Sequence, residues 1–91
     1  MSNGEIIPGQ IKLTIITPTE LIVDTQVKEV LIPGLEGELG ILPGHRPLVL
    51  ALGEGRITFR QDGVEESIQV SGGYAEIRPG SVLVFSEQPE E

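Results

Sequence analysis

Residues 33–47 constrain the fold more than any other part of the sequence, because seven of these fifteen residues are glycine or proline. Each glycine permits backbone conformations that other residues avoid, and each proline fixes φ and removes an amide donor. This spacing excludes a helix or a long strand and predicts a shaped surface loop, where functional residues are often found. Within the loop, residues 37–41 are expected to form a small turn that presents Glu38 between two glycines. Residues 43–45 are expected to turn the chain again.

Short β-branched and apolar runs dominate the rest of the chain, and turn signals separate them at intervals of about ten residues. This pattern predicts an all-β sandwich. The first strand is expected to begin near Ile11 and to end before Pro18, because a proline restricts the preceding residue to extended geometry.

Two β-hairpins are predicted in the second half of the chain. Asp62 and Gly63 form a two-residue turn signal between two alternating runs, which indicates a hairpin. A double glycine at residues 72–73 then interrupts the pairing. A second pair of strands is expected at residues 74–77 and 82–85.

Two segments are less clear from the sequence. Residues 19–32 carry valines at helical spacing, but their β-branched content and the turn-prone pair at residues 24–25 favour two strands over a helix. Residues 48–52 form a continuous apolar run, which predicts a strand buried on both faces, although a helical turn is also compatible with it.

The charge balance limits the possible partners. The chain has 14 acidic and 6 basic residues, a net charge of -8 and three aromatic residues. Nucleic-acid binding needs clustered basic groups and usually stacking surfaces, and an anionic membrane surface would repel this chain. A basic protein partner fits the charge better. The absence of cysteine gives a reducing, cytosolic setting as the default expectation.

No residue pattern indicates catalysis or a bound cofactor. His45 is the single histidine, so a catalytic triad or a multi-histidine zinc site is not expected. Its position in a turn favours a structural or interface hydrogen-bonding role. Glu36, Glu38 and His45 could together approach a divalent ion, but their spacing matches no metal-binding loop. Neither a phosphate-binding glycine motif nor a plausible acid–base pair of carboxylates is found.

Two functional classes remain compatible with a small acidic β-sandwich. One is a binding or assembly module, and the other is a carrier domain of the biotinyl or lipoyl kind. A carrier presents one lysine at a hairpin tip for modification. The only lysines are Lys12 and Lys28, and both fall in predicted strands, which favours the binding module.

The string Gly-Glu-Leu-Gly-Ile-Leu-Pro-Gly-His-Arg-Pro-Leu at residues 37–48 closely resembles the N-terminal domain of the epsilon subunit of the rotary ATP synthase. The resemblance continues at residues 27–34, 52–55 and 71–77. It covers residues 10–87, which leaves residues 1–9 as an N-terminal extension and residues 88–91 as a tail.

The resemblance implies a flattened β-sandwich of about ten strands that acts in the central stalk. Such a subunit joins the gamma subunit to the polar loops of the c-ring, couples ring rotation and proton transport to ATP synthesis, and carries no active site or cofactor. It associates with the membrane only through the complex, on the cytoplasmic face of a bacterial inner membrane or an equivalent such as the thylakoid. Many family members continue into a helical hairpin that can inhibit ATP hydrolysis, and these 91 residues have no room for it. Whether the protein is naturally short or the sequence is a fragment, this polypeptide is expected to couple without inhibition by such a hairpin.

The same resemblance places the glycine-rich loop at the end of the sandwich that faces the ring. Three polar residues are therefore expected to face the ring: Glu36, Glu38 and His45. Four residues are expected to set the loop shape: Gly37, Gly40, Pro43 and Gly44. The gamma-binding residues are not identified by the resemblance, and three apolar residues are candidates for them: Leu31, Leu83 and Phe85.

Overall fold

A computed structural model describes residues 9–87, and all of their regular structure is β-strand. The strands are β1 (Ile11–Ile16), β2 (Leu21–Val27), β3 (Glu29–Gly34), β4 (Gly37–Ile41), β5 (Leu48–Ala51), β6 (Glu54–Gln61), β7 (Val64–Ser71), β8 (Gly73–Arg78) and β9 (Ser81–Ser86). They form a five-stranded sheet in the order β2-β1-β9-β8-β5 and a four-stranded sheet in the order β4-β3-β6-β7. The predicted all-β sandwich is confirmed, with nine strands in the described range. A long apolar helix of the kind that spans membranes is not found in residues 9–87.

The core lies between the two sheets and follows from the alternation of each strand. In β1, Ile11, Leu13 and Ile15 are fully buried while Lys12 is exposed. The same period of two places Val82 and Val84 of β9 on the inner face. Full burial of each such side chain contributes about 1.5–3 kcal/mol, so the alternation holds the two sheets together.

Residues 19–32 form the two predicted strands, β2 and β3, but the predicted position of the break is wrong. The chain bends at Lys28, whose amide donates to the carbonyl of Arg60 at 2.8 Å, and passes there from one sheet to the other. Asp24 instead lies within β2, where it pairs with Thr14 and approaches Lys12 at 3.7 Å. Pairing with β1 therefore outweighs the local turn preference of residues 24–25.

The predicted hairpin at Asp62 and Gly63 is confirmed between β6 and β7. Both residues have positive φ, 54° and 80°, as a two-residue hairpin turn requires. The double glycine is confirmed as the break between β7 and β8. Gly73 has a φ of 101°, and a β-carbon there would collide with the backbone carbonyl of Phe85, so this position requires glycine.

Strand β5 is correctly predicted, but its expected burial on both faces is wrong. Leu48 is 40% exposed and Val49 is 64% exposed, while only Leu50 packs against the core. The reason is topological, because β5 is an edge strand of the five-stranded sheet and no element within residues 9–87 covers its outer face. An apolar outer face at a sheet edge indicates a surface that another molecule can cover.

The predicted N-terminal extension is residues 1–9, and the predicted tail is residues 88–91. Apart from Gly9, both lie outside the described residues.

Candidate protein-interaction surfaces

Residues 33–47 form a hairpin and a separate loop, so the prediction of one continuous shaped loop is wrong. Residues 37–41 are strand β4, which pairs with β3 so that Gly37 faces Gly34 and Glu38 faces Pro33. The tight turn lies one step earlier, at Leu35 and Glu36. The second predicted turn is confirmed at residues 43–45, where the amide of His45 donates to the carbonyl of Leu42 at 3.1 Å.

This arrangement separates the three residues that were expected to face one partner together. Glu36 and Glu38 lie at or beside the β3–β4 turn, whereas His45 lies in the loop that follows the other end of β4. Five strand residues at about 3.3 Å each place roughly 15 Å between these ends. The two glutamates therefore lie together near the β3–β4 turn, and His45 lies at the other end of β4.

The β3–β4 turn is fastened to the edge strand β5. The amide of Leu35 donates to the carbonyl of Ala51 at 3.0 Å, and the amide of Gly53 donates to the carbonyl of Pro33 at 2.8 Å. Gly34 is also tightly packed, since a β-carbon there would lie 2.8 Å from the carbonyl oxygen of Gly37. These contacts hold the turn in one shape, so it loses little conformational entropy when a partner binds.

The side chains at this turn are open to solvent. Leu35 is 68% exposed, and Glu36 and Glu38 are both exposed. Neither glutamate takes part in the ion pairs found within residues 9–87. We call residues 34–38 the acidic turn. Its free carboxylates and its exposed leucine make it a candidate binding surface for a basic protein.

The loop at the other end of β4 has a structural role. Gly44 donates its amide to the carbonyl of Pro79 at 2.8 Å, which ties the loop to the β8–β9 turn. The Nδ1 atom of His45 lies 2.8 Å from the carbonyl oxygen of Arg46. In the described range, no three His, Cys, Asp or Glu side chains come together as a metal site requires.

The outer face of the five-stranded sheet carries a row of apolar side chains, one from each strand. Cross-strand register aligns them, because Ile16 pairs with Leu21 and with Phe85, Phe85 pairs with Tyr74, and Tyr74 pairs with Ala51. Their sequence neighbours in β1, β8 and β9 are buried, so these side chains point outward. We call this set the apolar row: Leu21, Ile16, Phe85, Tyr74 and Ala51.

The apolar row is both exposed and ordered. Leu21 is 57% exposed and Tyr74 is 45% exposed. The rings of Tyr74 and Phe85 pack with centroids 5.7 Å apart and planes tilted by 33°. The row ends at Ala51, whose carbonyl binds the acidic turn. The two candidate surfaces are therefore continuous.

Sequence reasoning found one member of the row, Phe85, and missed the rest. Leu83 lies on the same outer face, two residues before Phe85 in β9. Leu31 lies in β3 of the other sheet. All three of these candidates are half-buried. Alternation within a strand tells which residues share a face, but the alignment between strands needs the register.

The outer face of the four-stranded sheet is charged instead of apolar. Arg60 binds Glu65 at 2.8 Å and Glu29 at 2.7 Å across three strands. The hydrogen bond that Arg60 donates to Glu65, together with the charges of both carboxylates, raises the pKa of Arg60. A solvated ion-pair network of this kind is typical of a face that stays in water.

Neither lysine is placed as a carrier domain requires. Lys12 lies within β1, and Lys28 lies at the bend between β2 and β3, where the chain changes sheets. No hairpin tip within residues 9–87 carries a lysine.

Comparison with known proteins identifies the family. Residues 10–91 match the family described as "ATP synthase, Delta/Epsilon chain, beta-sandwich domain". The chain belongs to this family. It is 38% identical over 81 residues to the ATP synthase epsilon chain of Carboxydothermus hydrogenoformans, and the match covers 89% of this chain and 60% of that one. It is 43% identical over 79 residues to the epsilon chain of Lawsonia intracellularis, with 87% and 59% covered. The chain thus spans about three-fifths of the length of these relatives.

Solved structures agree with the family assignment. A chain of the Euglena gracilis mitochondrial ATP synthase, in an OSCP/F1/c-ring assembly in rotational state 1, matches with a TM-score of 0.85 and 30% identity. That match covers 94% of this chain and 56% of the other. A chain from the central stalk and c-ring of the Tetrahymena thermophila enzyme matches with a TM-score of 0.71 at 14% identity, with 86% and 63% covered, and supports the fold alone. The predicted resemblance to the epsilon family is confirmed.

Proposed function

We propose that this chain is a central-stalk subunit of an F-type ATP synthase, joining the gamma subunit to the c-ring. It couples ring rotation and proton transport to ATP synthesis by holding its two partners in a fixed relation. It supplies binding surfaces and no catalytic group or cofactor. One observation carries the proposal: an apolar row on one outer face runs directly into an acidic turn at the same end of a rigid sandwich.

The apolar row is the surface for gamma. Its members bring one side chain from each strand of a five-stranded sheet, so their backbone positions are fixed before a partner arrives. Tyr74 lies near the centre of the row, next to Phe85, and central aromatic residues contribute most of the binding energy in many interfaces. The charged outer face of the other sheet supports this choice, because covering Arg60, Glu29 and Glu65 would remove charges from water.

The acidic turn is the surface for the c-ring. Glu36 and Glu38 offer two carboxylates that no cation within residues 9–87 neutralises. They complement basic groups on the polar loops of a ring, and such complementarity favours association and orientation. His45 is not part of this proposal, because β4 separates it from the turn. Gly37 shapes the turn, with a φ of 135°, while Gly40, Pro43 and Gly44 shape the strand and loop that follow.

In this proposal the chain reaches the membrane only through its complex. The complex lies on the cytoplasmic face of a bacterial inner membrane, or on an equivalent face such as that of a thylakoid. The epsilon chains of the bacteria Carboxydothermus hydrogenoformans and Lawsonia intracellularis are among its relatives, which favours the bacterial setting.

Co-purification with gamma tests the proposed surface directly. Tyr74→Lys should lower the affinity for gamma at least about tenfold, because it places a charge near the centre of the apolar row. Val64→Lys is the matched control, since Val64 is 57% exposed but lies in the other sheet. The control should stay within about twofold of the wild type. Equal losses in the two variants, with both folded by circular dichroism, would contradict the proposed gamma surface.

A further inference from the structure

A groove opens between the edge strands β2 and β7, on the side of the five-stranded sheet opposite β5. It has a volume of about 390 Å³. Its apolar walls come from both sheets: Ile22, Val23 and Val27 of β2, Phe59 of β6 and Val64 of β7. Val27 is fully buried, whereas Val64 is 57% exposed. The groove therefore leads from the solvent to the hydrophobic core.

Both strands at the mouth of the groove have a free edge. β2 and β7 each pair with one neighbour only within residues 9–87, so one side of each backbone has no strand beside it. A free edge next to apolar side chains favours pairing with other chains, and proteins commonly cover such an edge with another segment. The mouth of this groove is thus a place where a covering segment would be useful.

One polar atom in the groove wall indicates what kind of group could cover it. The Nε2 group of Gln61 donates to the carbonyl of Gln26 at 2.8 Å, which ties β6 to β2. The Oε1 atom of the same side chain is buried and accepts no hydrogen bond within residues 9–87. A buried acceptor without a donor is costly, so this atom favours an occupant with an N–H or O–H group. A peptide backbone supplies such a group, and a lipid tail does not.

The chain has a segment of suitable chemistry immediately before the described range. Residues 1–8 precede that range, and the family match begins at residue 10. Ile6 and Ile7 are two adjacent bulky apolar residues in this segment. Pro8 and Gly9 follow them as a turn signal, and residues 9–10 form a bend. The chain therefore changes direction just before β1.

The end of this segment lies beside the groove. Gly9 is two residues before Ile11, which pairs with Val27 in the groove wall. Val27 is the last residue of β2, so it marks the end of the groove nearest to Gly9. Strands lie about 4.8 Å apart and an extended residue spans about 3.3 Å, so about two or three residues suffice to cross the end of β2. Residues 6–7 then reach the mouth of the groove.

We infer that the N-terminal segment of this chain lies across the groove between β2 and β7, with Ile6 and Ile7 on its apolar walls. Successive side chains of an extended segment point in opposite directions. One isoleucine therefore contacts Val27 on the five-stranded sheet, and the other contacts Val64 on the four-stranded sheet. A backbone amide of the segment donates to Oε1 of Gln61. The segment shields both free strand edges, and this role does not depend on gamma or on the c-ring.

NMR of the full 91-residue chain tests the contact directly. Isoleucine and valine methyl groups would be labelled, and nuclear Overhauser effects from Ile6 and Ile7 would be measured. Cross-peaks to Val27 and Val64 are expected. Val49 is the internal control, because it is 64% exposed but lies in β5, at the opposite edge of the five-stranded sheet. Missing cross-peaks to the groove valines, or equally strong cross-peaks to Val49, would overturn the inference.

Urea denaturation tests the same contact through its contribution to stability. A variant carrying Ile6→Ser and Ile7→Ser should lose about 1–2 M in the denaturation midpoint, because two aliphatic side chains leave the groove. Glu5→Gln is the matched control, since it changes the same segment and keeps both isoleucines. Its midpoint should change by less than about 0.5 M. Equal changes in the two variants would refute the contact.

A double-mutant cycle distinguishes a contact from two independent effects. Val64→Ser should lower the midpoint in the wild-type chain and lower it much less in the variant without the two isoleucines, because residues in contact are not additive. Additive losses would show that Val64 and the N-terminal segment do not touch, which would also overturn the inference.

Other occupants of the groove would give different results. A second copy of the chain would make the methyl shifts of Val64 depend on protein concentration, and sedimentation would show a dimer. A separate partner protein would leave the groove of the isolated chain without contacts from Ile6 or Ile7. Either result would contradict the inference. Concentration-independent shifts of Val64 in a monomer, changed by Ile6→Ser and Ile7→Ser together, would support it.

Discussion

Replacing Gly73 by alanine should destabilise the fold more than any other glycine replacement in the described strands and turns. Gly73 has a φ of 101°, a region that residues with a β-carbon rarely occupy. The added β-carbon would also collide with the carbonyl of Phe85 on the neighbouring strand. Gly73 pairs with Ser86, and its own carbonyl accepts the amide of Leu52 at 3.0 Å. The collision therefore acts where β8, β9 and the end of β5 meet.

The expected cost has three parts. The unfavourable backbone conformation costs about 1–3 kcal/mol. Loss of one backbone hydrogen bond costs about 0.5–1.5 kcal/mol. Moving β8 away from β9 loosens the packing of Ala75 and Val84, at about 1 kcal/mol or more. The sum is about 2.5–5.5 kcal/mol, a large part of the roughly 5–15 kcal/mol that stabilises a small domain.

Gly63→Ala is the matched control. Gly63 also has positive φ, 80°, but a β-carbon there meets no atom within 4 Å. Only the conformational cost of about 1–2 kcal/mol is then expected. With a urea m-value of about 1 kcal/mol/M, the denaturation midpoint should fall by about 2.5 M or more for Gly73→Ala and by about 1–2 M for Gly63→Ala. Equal shifts in the two variants would refute the claim that close approach of the β-strands, rather than φ alone, requires glycine at position 73.

Three further variants test the packing and the surfaces. Leu13→Ala should cost about 2–5 kcal/mol in urea denaturation because Leu13 is fully buried between the sheets, and a cost below about 1 kcal/mol would contradict its place in the core. Arg60→Gln should leave the urea denaturation midpoint nearly unchanged, since its ion pairs are solvated, and a clear fall in the midpoint would show that the network stabilises the four-stranded sheet. Leu21→Ala should weaken gamma binding, measured by calorimetry, about threefold to tenfold while leaving stability unchanged, and unimpaired binding would remove Leu21 from the gamma surface.

Local turn chemistry explains why some elements could be predicted from the sequence. Asp62 and Gly63 both tolerate positive φ, and the hairpin they form needs no information from distant residues. The strand that starts at Ile11 could be predicted equally well, because its apolar residues alternate and Pro18 limits how far it extends. These elements depend on neighbours in the sequence, so sequence reasoning captures them.

Residues 37–41 show what local reasoning misses. Their glycines permit many conformations, and the count of glycines and prolines suggested a turn. Pairing with β3 selects the extended conformation instead. The bend at Lys28 and the exposure of β5 have the same origin, because each depends on which strand lies alongside and whether a sheet ends there.

The candidate surfaces could be predicted from the sequence only in part, for the same reason. The family motif singled out Glu36 and Glu38, and the structure leaves both exposed on one turn. The motif alone could not show that His45 lies at the opposite end of β4 from the turn. The apolar row needs the register of five strands, and no single strand contains the pattern.

Reconstitution of the rotary complex is the most direct test of the central claim. Purified F1 lacking its epsilon subunit would be combined with membranes that contain the c-ring and stator, with and without the 91-residue chain, and proton-driven ATP synthesis would be measured. The proposal predicts that the chain binds gamma and the ring together and restores synthesis, and that Tyr74→Lys does not restore it. Synthesis at the same rate without the chain, or no binding of the chain to gamma, would contradict the proposed coupling role.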